Sequence, residues 1–89
     1  MENLHITLTG KVYKVGLRYF VKQMAKHYSI IGSVRYKDDS TIAIEATGEK
    51  ENMNHFLNYC RLGCPGSEVQ DVSIKDLDKS IFNSFEIIE

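Results

Sequence analysis

The sequence predicts an α+β sandwich: an antiparallel sheet of four to five strands with two helices packed on one face. Three observations point there. The spacing of apolar residues switches from a period of two to a helical period and back, twice along the chain. The connections between these patterned segments are short and carry glycine, proline or clustered polar residues. At 89 residues, 43% hydrophobic and 26% charged, the chain suffices for one small core but not for a second domain or a large cofactor pocket.

Leu4, Ile6, Leu8 and Val12 alternate with His5, Thr7, Thr9 and Lys11, the pattern of a half-buried strand over 4–13. From Leu17 the apolar positions become Phe20, Val21, Met24, Ala25 and Tyr28, the stripe of an amphipathic helix that Ser29 ends. Ile30 to Tyr36 reads as a second strand and Thr41 to Thr47 as a third. The polar turn Lys37–Ser40 between them makes a hairpin. Past Gly48, Glu49 and Glu51 stand where the positive end of a helix dipole favours acids, and Met53, Phe56, Leu57 and Cys60 form that helix's apolar stripe. Gly63 stops it, and Cys64-Pro65-Gly66-Ser67 is a turn-rich connector. Val69, Val72 and Ile74 mark a fourth strand whose imperfect alternation a bulge would explain, and residues 82–88 a short fifth. The order β-α-β-β-α-β is the split βαβ arrangement of ferredoxin-like sandwiches, here as one domain over 1–89.

The formal charge of −1 conceals an asymmetry. Residues 1–37 hold seven basic side chains (Lys11, Lys14, Arg18, Lys22, Lys26, Arg35, Lys37) and one acid, a balance of +6, and the remainder balances at −7. Such a split suits either an anion-facing segment or two differently solvated surfaces. No apolar run is long enough to span a bilayer and Met1-Glu2-Asn3 does not open a secretory signal, so the cytoplasm is the expected compartment. Cys60 and Cys64 lack the spacing of zinc or redox pairs and are expected as free thiols, while His5, His27 and His55 are too scattered for a metal site. No cofactor is expected. The third strand has no aromatic for base stacking, which argues against RNA, and the first loop lacks the cysteines of a metal chaperone.

The chemistry concentrates where the first strand meets the first helix: Gly10-Lys11-Val12-Tyr13-Lys14-Val15-Gly16-Leu17-Arg18. A helix N-terminus presents unpaired N–H groups and partial positive charge, and an arginine in its first turn adds a planar fork matched to phosphate or carboxylate oxygens. Glycine and arginine also occur at such turns for packing alone, so these residues by themselves leave anion binding open.

Gly10-x-Val12-x-x-Val15-Gly16-x-Arg18 resembles the phosphate-loop signature of the acylphosphatases, which usually runs Gly-x-Val-Gln-Gly-Val-x-Phe-Arg. The resemblance continues through Gly32-x-Val34-Arg35, Gly48, Phe56 and Gly63-x-Pro65-x-Ser67-x-Val69, nearly the whole chain in register. It implies a five-stranded antiparallel sheet in a βαββαβ sandwich. It also implies hydrolysis of a carboxyl-phosphate anhydride by direct water attack, without metal or covalent intermediate. Arg18 and the amides of Tyr13, Lys14, Val15, Gly16, Leu17 and Arg18 would hold the phosphoryl oxygens. The expected partner is a small acyl phosphate or inorganic phosphate, with neither nucleic acid nor membrane, on a monomer.

The sequence departs from that pattern at defined places. The family's water-orienting asparagine is Tyr36 here, which the resemblance places as the second catalytic position. Tyr13, Lys14 and Leu17 stand for the usual glutamine, glycine and phenylalanine, and Ser33 and Ser40 for an aromatic and a turn glycine. A left-handed backbone at Lys14 would cost roughly 1–2 kcal/mol over glycine. Two readings follow: an acylphosphatase in which Tyr36 or a loop amide takes over from the asparagine, or a non-catalytic module that binds an anion or partner.

Overall fold

A computed structural model describes residues 1–89. Its elements are β1 (Glu2–Lys11), α1 (Leu17–His27), β2 (Ile31–Asp38), β3 (Thr41–Gly48), α2 (Lys50–Leu62), β4 (Glu68–Asp76) and β5 (Phe85–Ile87). They form one sheet in the order β4-β1-β3-β2-β5.

Strand register decides which residues share a face. Leu4, Ile6 and Leu8 of β1 stand opposite Ala46, Ile44 and Ile42 of β3, which in turn face Gly32, Val34 and Tyr36 of β2. Phe85 and Ile87 of β5 extend the same rows. The helices meet this face with Leu17, Val21 and Ala25 from α1 and Met53, Phe56 and Cys60 from α2, making a single core of 16 residues. Phe56 is its largest fully buried side chain, edge-on to Phe85 at 6.1 Å between ring centroids.

Local chemistry sets the helix ends. Lys26 and His27 occupy the last turn of α1, where cations suit the dipole. Ser29 follows with φ 56°, and the Ile30 N–H closes the end on the Ala25 carbonyl at 2.8 Å. In α2, Glu51 and Arg61 sit at the ends the dipole favours, and Gly63 terminates it.

Three expectations need correction. The turn between β2 and β3 is shorter than Lys37–Ser40: Asp38 already pairs with Thr41, and Lys37 is an extra residue in the ladder. The Ser40 N–H and hydroxyl donate to the Asp38 carboxylate, and the Ser40 backbone bond foremost, with the Thr41 and Ser40 hydroxyls, holds it below its ordinary pKa. The fifth strand spans only Phe85–Ile87 rather than 82–88, and it pairs parallel to β2, so the sheet is mixed rather than wholly antiparallel. The cause is the route of the chain. β4 ends beside the start of β1, β2 begins at that same end of the sheet, and the connection crosses there to the opposite edge. A strand that enters from this end must run with β2. The bulge expected in the fourth strand is present: Thr9 pairs with Asp71 and Gly10 with Val69, leaving Gln70 as the extra residue.

This topology places functional elements at one end. β1, β2 and β5 all run toward it, α1 starts there, and the connector from α2 enters β4 there, since Glu68 pairs with Lys11. Gly32 guards the sheet between. It has φ 144°, and a Cβ would strike the Glu45 carbonyl oxygen and lie 2.7 Å from its carbon. Gly32→Ala is therefore expected to lower stability by at least about 2 kcal/mol, from backbone strain plus displacement of β3. Urea unfolding checks it, and an unchanged midpoint would refute the close approach.

Candidate functional site

Two buried side chains define the loop. Val12 and Leu17 are both fully buried, so the four residues between them must turn the chain from β1 into α1 within a short span. The turn is made with left-handed backbone at Lys14 (φ 55°) and Gly16 (φ 81°). Gly16 takes this without strain, and no atom lies within 4 Å of where its Cβ would be. Lys14 carries the cost anticipated for a non-glycine residue, so the left-handed turn is made at the expense of strain.

Gly16 caps α1, and no side chain accepts from the first turn. The Phe20 N–H returns to the Gly16 carbonyl at 3.1 Å, which leaves the amides of Val15, Gly16, Leu17 and Arg18 without partners in the chain. Successive unpaired N–H groups at a helix N-terminus form an anion-binding concavity. Leu17 takes part by its backbone alone, because its side chain belongs to the core.

Tyr36 enters from the sheet. It lies in phase with Gly32 and Val34 on the helix-covered face, at the end where the loop sits, which brings its ring beneath residues 13–18. Its hydroxyl accepts a hydrogen bond from the Lys14 N–H at 2.8 Å. Its ring packs against Tyr13 at 4.8 Å between centroids, and the Arg18 guanidinium carbon lies 4.2 Å above its centre. The Lys14 ammonium is 5.3 Å from the Tyr13 ring centroid.

Arg18 also reaches Glu89, with 3.4 Å between Nη1 and Oε1. Partial burial works against the Arg18 charge, but the Tyr36 oxygen and the Glu89 carboxylate outweigh it and raise its pKa above the ordinary arginine value. Glu89 is 84% exposed, so the ion pair is weak and another anion can replace it.

All the expected residues, Tyr13, Lys14, Val15, Gly16, Leu17, Arg18 and Tyr36, are thus parts of one cluster. Sequence reasoning missed two neighbours: Glu89, which meets Arg18 across 71 positions, and Cys64, whose thiol donates to the Val15 carbonyl across 49. No spacing signal links residues so far apart.

The acylphosphatase family profile matches residues 4–87. The chain belongs to the acylphosphatase family. An acylphosphatase of Clostridium acetobutylicum is 42% identical over 77 residues, covering 86% of this chain and 85% of that protein. One of Thermotoga maritima is 33% identical over 87 residues, covering 98% and 97%. The crystal structure of acylphosphatase from Bacillus subtilis superposes with a TM-score of 0.94 at 30% identity, covering both chains completely. No helix of this acylphosphatase-family protein is long and apolar enough to cross a membrane.

The strained lysine gives a direct check. Lys14→Gly is expected to raise unfolding stability by about 0.5–1 kcal/mol, the relief of left-handed strain exceeding the added freedom of the unfolded chain. Chemical denaturation measures it, and a loss of stability would show that Lys14 is not strained.

Proposed function

We propose that the protein hydrolyses small acyl phosphates at the loop of residues 13–18. A water oxygen attacks phosphorus, the bond from phosphorus to the acyl oxygen breaks, and that oxygen leaves with its electron pair as a carboxylate. The water's protons pass to solvent and phosphate. Arg18 and the loop amides hold the phosphoryl oxygens and stabilise the charge that spreads over them in the transition state. The carboxylate is a good leaving group, so positioning and electrostatics can supply most of the acceleration without a strong base.

The observation that carries this reading is the run of partnerless amides from Val15 to Arg18, turned by left-handed Lys14 and Gly16 and flanked by an arginine. Family membership supports the same substrate class. Glu89 is a replaceable counter-ion in this scheme, released from Arg18 as phosphate arrives.

Tyr36 stands where the family has its water-orienting asparagine. Its oxygen accepts from the Lys14 N–H, yet it keeps its own O–H to donate to water or a phosphoryl oxygen. In the catalytic reading Tyr36 guides water through that group. The same hydrogen bond favours the second reading, an anion-binding module without turnover, because the amide occupies the phenol oxygen as an acceptor and takes that acceptor from an attacking water.

Hydrolysis of a model acyl phosphate separates the two. In the catalytic reading the protein turns over well above buffer, and Arg18→Ala lowers kcat/KM at least about a hundredfold. Wild type no faster than buffer, with activity gained by Tyr36→Asn, would instead establish the binding module. Inorganic phosphate is expected to shift the amide resonances of residues 13–18 in either case, and their immobility would overturn the loop assignment.

A further inference from the structure

The Val15 carbonyl accepts a hydrogen bond from the Cys64 thiol at 3.5 Å. Cys64 belongs to the connector between α2 and β4, and that connector is tightly tied. The Cys64 N–H donates to Ser67 Oγ at 2.9 Å, and the Cys64 carbonyl accepts from Ser67 Oγ at 2.8 Å and from the Ser67 N–H at 3.0 Å. Gly63, just before it, has φ 72°, and a Cβ there would clash with the Ser67 hydroxyl. Both backbone groups of Cys64 are therefore committed, and the thiol approaches Val15 from a fixed base.

The consequence runs through one peptide plane. All peptide bonds in the chain are trans, and in a trans peptide the carbonyl and the following N–H point in opposite directions. Holding the Val15 carbonyl toward Cys64 turns the Gly16 N–H away from it, and that N–H is one of the amides with no partner in the chain. This plane needs an anchor. A flip changes ψ at Val15 and φ at Gly16, and at Gly16 both signs of φ are sterically acceptable, so the glycine side of the plane offers little resistance.

We propose that Cys64 is a positioning residue of the phosphate loop: its thiol orients the Val15–Gly16 peptide so that the Gly16 N–H faces the bound phosphoryl group. The inference rests on the loop being the phosphate site. It makes the α2–β4 connector part of the machinery, and it makes the site sensitive to anything that removes the thiol proton or adds bulk to the sulfur. Cys64 is half-buried beside exposed Pro65 and Gly66, whereas Cys60 is fully buried and desolvation pushes its pKa up to about 12. A small thiol reagent therefore reaches Cys64 and spares Cys60.

The test uses isotope-labelled protein titrated with inorganic phosphate as wild type, Cys64→Ala, Cys64→Ser and wild type treated with methyl methanethiosulfonate. In the last, the Cys64 thiolate attacks the sulfenyl sulfur, a disulfide to the methylthio group forms, methanesulfinate leaves, and dithiothreitol reverses the change. Cys64→Ala and the methylthiolated protein are expected to bind phosphate about three- to tenfold more weakly, the size of one net hydrogen bond. In phosphate-free samples both also shift the Gly16 amide and Val15 carbonyl resonances. Cys64→Ser, whose hydroxyl donates to the same carbonyl, stays within about twofold of wild type. Unchanged affinity and resonances in Cys64→Ala, or failure of serine to rescue, would overturn the proposal. A wild type that shows no phosphate response at all defeats the loop assignment instead, while the phosphate-free resonances still decide what Cys64 does to the peptide.

Discussion

The burial of Val12 and Leu17 on either side of four residues is the constraint from which the site follows. Each belongs to the shared core, so neither end of the loop can relax without exposing apolar surface or opening a cavity. The chain between them has to reverse sharply, and it does so with left-handed backbone at Lys14 and Gly16. That geometry leaves consecutive amides unpaired at the start of α1, where the helix dipole already favours negative charge. Core packing fixes the two ends of the loop, and polar contacts from Tyr36 and Cys64 act on the backbone between them.

The polar and aromatic partners then tune what the loop presents. Tyr36 supports it from the sheet side, with its hydroxyl on the Lys14 N–H and its ring under Arg18. Glu89 balances the guanidinium from the solvent side. Arg18 is thereby held between a π-face and a carboxylate, an arrangement that fixes a side chain with much rotamer freedom while leaving it exchangeable toward a stronger anion. Strain at Lys14 and satisfaction of its amide by Tyr36 occur at the same residue, and strain of this kind persists where surrounding packing over-determines the backbone.

Much of the fold was legible because its signals are local. The alternation in Leu4, Ile6 and Leu8 and the stripe of Leu17, Val21 and Ala25 reflect the periods of strand and helix, and each ends at a residue whose chemistry stops it. The loop and Arg18 were legible for the same reason, since glycine, arginine and helix start lie within a few positions. The fifth strand was read too long and in the wrong orientation, because its direction depends on which edge of the sheet the chain reaches after β4. The irregular alternation of Val69, Val72 and Ile74 did announce the bulge at Gln70, a local break in a local pattern.

By itself the sequence determined the order of elements, the apolar face of each, the family to which the chain belongs and the loop that carries its signature. Those depend on backbone periodicity and near-neighbour chemistry, which a linear chain encodes directly. Only the tertiary structure decided that the Tyr36 hydroxyl rests on a loop amide, that Glu89 pairs with Arg18, and that the Cys64 thiol holds the Val15 carbonyl. These contacts join residues 22, 71 and 49 positions apart. Their existence depends on strand direction and crossover, which bring β1, β2, β5 and the α2–β4 connector to one end of the sheet, and no local pattern in the chain specifies that meeting.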